Sequence, residues 1–293
     1  MVIPLLTDIT SSSLVDLLPE SDPFVIRAEV NLLLSSTTEV LHLIEGEGTA
    51  IAFSGGIDSC ILASFLSGSQ CKSSLLTLGR ADSADFSSVM KRDLPKKESF
   101  NFITKKLESI EIEKAADEVS RVVSVCNFSH FEDCVAFWLL GKAAVASKNI
   151  DLIVSANGPD ELFCGYDKFR RIVDSGGYRA AEAEIESSLK LAEKLSHEVS
   201  KVVSEFGLKI REPFLQESFK VNCRAIPIEH KILIGNDRLR KRIWRCLGIS
   251  LDLPKSIIMR PKKAMQYGMG IHSVLLSMLR RNILKVDFEQ TIS

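Results

Sequence analysis

Apolar positions along the chain alternate between two spacings. Val25, Ala28, Val30, Leu33 and Leu34 predict a helix over 24–46. Thr49-Ala-Ile-Ala-Phe53 is a short, wholly apolar run of the kind a buried strand needs. Cys60 to Leu66 predicts a helix that ends near Gly68. Ser74–Leu78 reads as a strand, Ser83–Arg92 as a helix closed by Pro95, and Phe100–Ile103 as another strand. Ile112–Val125 carries Ala116, Val119, Val122 and Val123 at helical spacing, His130–Lys148 is helical again, and Asp151–Val154 is a strand. From about residue 167 the strand signals fade. Ala181–Phe206 sets Ile185, Leu189, Ala192, Leu195, Val199, Val202 and Phe206 on one stripe, stopped by Gly207. Strands alternating with helices predict an α/β fold, a doubly wound parallel sheet, with a helical C-terminal part. The expected organisation is a leader over 1–23, an α/β core over 24–166 and a helical part over 167–293.

Composition narrows the field. The chain has 293 residues, 45% hydrophobic and 26% charged, with a formal net charge of −1. Such a chain can bury a large core. A global electrostatic case for nucleic acid is absent. No apolar run reaches the ~18 residues of a membrane span, and the first residues lack the basic start of a signal peptide, so a cytoplasmic protein without membrane contact is expected. The seven cysteines form no CxxC pair, which speaks for isolated buried thiols rather than zinc or disulfides.

Three segments carry candidate chemistry. Ser54-Gly55-Gly56-Ile57-Asp58-Ser59 lies between a strand and a helix. Its glycines let backbone N–H groups approach a phosphate, and the following helix N-terminus favours negative charge. Ser54 and Ser59 add donors. Asp58 beside polyphosphate implies a bridging Mg²⁺. No Gly-Lys-Ser/Thr follows, so this is not a Walker A loop. The second segment is Ser155-Ala-Asn-Gly-Pro-Asp-Glu-Leu-Phe-Cys-Gly-Tyr166. The third is Arg260-Pro-Lys-Lys-Ala-Met-Gln-Tyr-Gly-Met-Gly270.

The first segment resembles the pyrophosphate-binding loop of the N-type ATP pyrophosphatases. The second resembles the asparagine synthetase signature Ser-Gly-Glu-Gly-Ser-Asp-Glu-Leu/Val-Phe-Gly-Gly-Tyr. The third is similar to the Arg-x-Lys segment of asparagine and β-lactam synthetases. Leu75–Gly79, with Leu76 and Leu78, resembles the strand whose backbone reads adenine. Lys209-Ile-Arg-Glu-Pro-Phe-Leu215 resembles the family's Glu-Ala-Arg-Val-Pro-Phe-Leu, and Gly235–Lys241 its Gly-x-x-K-x-x-Leu-Arg. The resemblance implies ATP and Mg²⁺ as cofactors. It implies that Ser54, Gly55, Gly56, Asp58, Ser59, Leu76, Leu78 and Gly158 hold the nucleotide, with Asp58 and Asp160 on the metal. Asp160, Asn157 and Lys262 would be catalytic, Lys262 stabilising charge on the α-phosphate as AMP leaves. The implied reaction adenylates a small-molecule carboxylate, aspartate by family default, and an amine or ammonia then displaces AMP.

Two departures shape these expectations. Asn157 replaces the family's glutamate, and Pro159 and Cys164 replace a serine and a glycine. An amide accepts a hydrogen bond but carries no charge. Losing one charge-assisted bond, roughly 1.5–3 kcal/mol, weakens a free α-ammonium about ten-fold or more. Free aspartate is therefore expected to be at best a poor substrate. Glutamine-dependent synthetases begin with Cys after Met and carry a glutaminase domain. Met1-Val2 and a short leader lead one to expect that ammonia, a substrate amine or a separate glutaminase subunit supplies nitrogen. A homodimer is also open, as are a different acceptor for the same adenylation (a modified amino acid, a ring closure, an RNA base) and a catalytically silent nucleotide-binding protein.

Overall fold

The computed structural model of this chain describes residues 17–19, 21–42, 44, 48–67, 73–81, 86, 97–124, 127–261, 265–284, 286 and 288. Helix α1 spans Pro23–Leu41. Asp22 caps it by accepting the Phe24 N–H at 2.8 Å, and Pro23 opens the first turn. Strand β1 (Thr49–Ala52) leads into α2 (Ile57–Leu66). Then follow β2 (Ser74–Arg80), β3 (Asn101–Leu107), α3 (Ser109–Val119) and α4 (Phe128–Ala146). Asn127 caps α4 through the His130 N–H at 2.9 Å. Strand β4 (Leu152–Val154) gives way to the short α5 (Pro159–Leu162) and the long α6 (Asp167–Ser204). After β5 (Lys209–Arg211) come α7 (Glu217–Arg224), α8 (Arg242–Ser250), α9 (Lys255–Ile258), α10 (Met265–Met269) and α11 (Ile271–Arg280).

The five strands form one parallel sheet in the order β3-β2-β1-β4-β5. Side chains alternate across it into two cores, so the inner strands read as continuous apolar runs. Ile51, Leu75 and Val154 face the core that holds α1, α2 and α8. Ala50, Leu76 and Ile153 face the core that holds α3, α4 and α11. This is the expected doubly wound α/β sheet, followed by helices. Helix α6 serves both cores: Phe169, Ile185 and Leu189 enter the first, and Val199, Val202 and Val203 the second.

Two differences from the sequence pattern matter. The helix after β1 begins at Ile57, inside the glycine segment, so Asp58 sits in its first turn. Strand β5 lies where strand signals had faded. Three residues long, at a sheet edge, with only Ile210 half-buried, it carries no apolar run to announce it. The predicted Ser83–Arg92 helix falls outside the described residues except for Phe86. Five cysteines, Cys60, Cys134, Cys164, Cys223 and Cys246, are free and buried.

The two-core sheet makes a stability prediction. Ile51 and Ile153 lie on adjacent strands, each 0% exposed, on opposite faces. Ile51→Ala and Ile153→Ala should each cost about 2–5 kcal/mol in urea unfolding. A near-neutral result for either would mean that its face of the sheet is not a core.

Candidate active site

The chain passes from β1 outward to β2 and β3, then returns to place β4 on the other side of β1. In such sheets the crevice lies beyond the carboxyl ends of the strands where the order reverses. Both glycine-bearing segments emerge there, the first after β1 and the second after β4.

In the first segment Gly55 adopts φ 65°, a left-handed conformation that favours glycine. Ser54 Oγ lies 3.2 Å from Ser59 Oγ and accepts the Gly56 N–H at 3.3 Å. Ser59 Oγ also reaches the Gly56 carbonyl at 3.2 Å. Gly56 caps α2 with no side-chain bond to the turn, which leaves helix N–H groups for a ligand. In the second segment Gly158 caps α5, and Asp160 stands in its first turn.

Asp58 and Asp160 meet at one cation. Lys241 Nζ lies 2.7 Å from Asp58 Oδ2 and 2.8 Å from Asp160 Oδ1, and its side chain is fully buried. Burial opposes the ammonium charge, but Asp160 and Asp58 outweigh it and hold the lysine pKa above its ordinary value. The indole of Trp244 donates to the other Asp58 oxygen at 2.9 Å. Trp244 in turn stacks on Phe163, with centroids 4.9 Å apart. Gly165 is what lets the pair close. A Cβ there would lie 2.0 Å from Asp160 Oδ1 and 2.2 Å from Lys241 Cε.

Lys241 is brought in by an unusual turn. Arg240 and Lys241 both take left-handed φ, 54° and 53°, at a cost of about 1–2 kcal/mol each. Buried Asp237 holds that turn by accepting the N–H groups of Leu239 and Arg240 at 3.0 and 3.1 Å. Fully buried Arg245 binds the carbonyls of Leu239 and Arg240, each at 2.7 Å. It also binds those of Ile258 and Arg260, the latter at 3.1 Å. Burial lowers its pKa to about 10. The chain leading to Lys262 is thereby pinned beside the glycine turn, with Arg260 Nη1 3.5 Å from the Gly55 carbonyl. Lys262 itself lies outside the described residues.

Leu76, Leu78 and Ser54 line one cleft with Phe53, Phe86 and Met269, so the strand expected to read adenine borders the glycine turn. Asn157 pairs with a different acid. Its Nδ2 donates to Glu212 Oε1 at 2.6 Å. Burial pushes the Glu212 pKa up, against hydrogen bonds from Ser196 and Asn157. Cys164, in place of a family glycine, is fully buried with φ 56°. Its thiol is pushed up to about 12 by burial, which leaves it inert. Lys241, Trp244 and Glu212 had not been singled out from the sequence, although Lys241 and Glu212 stand inside segments that resemble the family.

An open parallel sheet with acidic, glycine-bearing turns at its switch point places the chain among α/β proteins that hold ligands at the strands' carboxyl ends. Residues 40–204 match the family described as asparagine synthase, and the chain belongs to that family. A Methanocaldococcus jannaschii protein, whose name proposes a glutamine-hydrolyzing asparagine synthetase, is 24% identical over 273 residues, 83% of this chain and 50% of that one. Human asparagine synthetase [glutamine-hydrolyzing] is 28% identical over 232 residues, 75% of this chain and 39% of the relative. Mouse asparagine synthetase domain-containing protein 1 is 29% identical over 139 residues, 46% of this chain and 22% of the relative. The chain thus spans half or less of the length of these relatives. Among the described residues, no helix is long and apolar enough to cross a membrane.

The Lys241 cluster predicts its own stability cost. Lys241→Met strands two partly buried carboxylates and should lose about 3–5 kcal/mol in urea unfolding at pH 7. Because the lysine pKa is raised above 10.5, that loss should hold across neutral pH and shrink only as pH climbs past this value. A loss below ~1 kcal/mol would show that solvent satisfies Asp58 and Asp160 without the lysine.

Proposed function

We propose that this protein is an ATP-dependent carbon–nitrogen ligase that adenylates a carboxylate, releases pyrophosphate and lets an amine or ammonia displace AMP. The observation that carries this reading is the convergence of Asp58 and Asp160 on Lys241 beside the Ser54–Ser59 turn. The turn offers backbone N–H groups and two hydroxyls to phosphate oxygens. Lys241, fully buried between the two carboxylates, fixes them beside the turn and offsets one of their two charges, so the cluster keeps a net negative charge for a cation arriving with the nucleotide. Leu76 and Leu78 would flank the adenine, and Gly158 would let the second turn approach the nucleotide.

The donor set fits Mg²⁺ arriving with the nucleotide. Among the described residues no group of three or more His, Cys, Asp or Glu could hold a metal alone. Two carboxylates plus substrate phosphates are what Mg²⁺ ordinarily takes, and the oxygens bonded to Lys241 or Trp244 (both of Asp58, and Oδ1 of Asp160) each keep a second lone pair. Bound there, the metal would neutralise charge on the leaving pyrophosphate. Lys262 would stabilise the α-phosphate as AMP departs. Family membership supports ATP-dependent amidation. The acceptor, the nitrogen source, a separate glutaminase subunit, a homodimer and cytoplasmic residence belong to the proposal.

Pyrophosphate release across a panel of carboxylates with ATP, Mg²⁺ and ammonia tests the reading. A folded protein that binds ATP but releases none with any carboxylate would favour the silent nucleotide-binding alternative. Two variants sharpen it. Gly55→Val puts a β-branched side chain at φ 65° where phosphate must approach. The strain of about 1–2 kcal/mol is small against ordinary stability, so the fold should persist while ATP binding by calorimetry is lost. Unchanged affinity would remove the turn from the nucleotide site. Lys262→Ala should slow turnover by ~10²-fold or more with ATP still bound. Near-normal turnover would show that another group stabilises the α-phosphate.

A further inference from the structure

Two departures from the family pattern meet in space. Asn157 stands where the signature has glutamate. Glu212 stands where Glu-Ala-Arg-Val-Pro-Phe-Leu has valine. They are 55 residues apart in sequence and lie just past the ends of β4 and β5, which pair in register. Asn157 Nδ2 donates to Glu212 Oε1 at 2.6 Å, and Ser196 on α6 donates to Glu212 Oε2.

Glu212 is 7% exposed, and among the described residues no lysine, arginine or histidine pairs with it. A carboxylate buried on two neutral donors is costly. Asp237, about as buried, has Arg242, and the half-buried Asp58 and Asp160 share Lys241, whereas among the described residues Glu212 has only amide and hydroxyl donors. Valine, the family residue, would have filled the place without that cost. The half-buried Asn157 shows the complementary feature. With Nδ2 committed to Glu212, its amide cannot turn over without breaking that bond. Its Oδ1 receives no hydrogen bond from any described residue and is left as a fixed acceptor.

We propose that Glu212 is a positioning residue of the acceptor subsite, supplying through Asn157 the single negative charge that the family pattern places directly at position 157. The subsite then selects a carboxylate that carries an ammonium group beside it. The ammonium donates to Asn157 Oδ1, while the Glu212 charge behind the amide polarises it in a low-dielectric setting where both effects are strong. This assignment rests on the adenylating-ligase reading and replaces the expectation, drawn from Asn157 alone, that free aspartate is at best a poor substrate.

The test is pyrophosphate release by the full chain with matched acceptors that differ only in the ammonium: aspartate against succinate, and glutamate against glutarate, with kcat and KM determined separately. Wild type should favour the amino member of a pair. Glu212→Gln keeps the shape and removes the charge. It should raise KM for the amino member about ten-fold or more and leave the des-amino KM and the ATP affinity unchanged. The double variant Asn157→Glu with Glu212→Val should recover the amino preference. A merely structural Glu212 would shift both members of a pair alike, and that result overturns the assignment while leaving the ligase reading intact. Folded wild type that releases pyrophosphate with none of the four acids overturns the ligase reading for this acceptor class, and the assignment with it.

Discussion

The buried ammonium of Lys241 is the interaction on which the functional half of this fold depends. Two chain segments leave the sheet at β1 and β4, each ending in an aspartate near the other. Two carboxylates so close would repel, and neither has full access to water. A cation between them turns the repulsion into a clasp, with bonds of 2.7 and 2.8 Å. The surrounding structure is arranged to deliver it. Asp237 and Arg245 hold two consecutive left-handed residues, Gly165 leaves space for the pair to close, and Trp244 satisfies the remaining Asp58 oxygen. The strain of the turn, about 1–2 kcal/mol per residue, is less than the ~3–5 kcal/mol at stake in a broken buried pair. The turn is therefore affordable wherever the clasp forms.

The clasp also explains why the C-terminal segments matter to a site built on strand ends. Lys241 precedes α8, and Arg245 on α8 fixes both the Leu239–Arg240 turn and the Ile258–Arg260 approach to Lys262. One helix thus couples the charge between the aspartates to the strap that leads to the expected catalytic lysine. Helix α8 packs in the same core as α1 and α2, so the apolar interior holds the polar cluster in register with the glycine turn.

Much of this was legible in the sequence. The alternation of apolar runs gave the doubly wound sheet, because strands buried on both faces must be apolar throughout. The Ser54–Ser59 and Ser155–Tyr166 turns announced themselves because tight turns at strand ends need glycine and small polar residues. Other features were silent for physical reasons. Lys209-Ile-Arg211 is an exposed edge strand that exists through its pairing with β4. Arg238-Leu-Arg-Lys-Arg242 reads locally as a solvated basic run, yet Lys241 is 0% exposed, because only the folded chain brings acids from α2 and α5 against it. Glu212 was readable in principle. Taken alone, Asn157 signifies a lost charge; set beside a glutamate where the family has valine, it signifies a moved one.

The central claim is chemical: a carboxylate oxygen attacks the α-phosphorus of ATP at the switch point between β1 and β4. Transfer of ¹⁸O tests it most directly. The protein would be incubated with ATP, Mg²⁺, ammonia and aspartate labelled with ¹⁸O in its side-chain carboxylate, and the nucleotide products resolved by mass spectrometry. Label in the phosphate of AMP, with unlabelled pyrophosphate, is the predicted result. Formation of ADP with label in inorganic phosphate, or of AMP that carries no ¹⁸O, would contradict it.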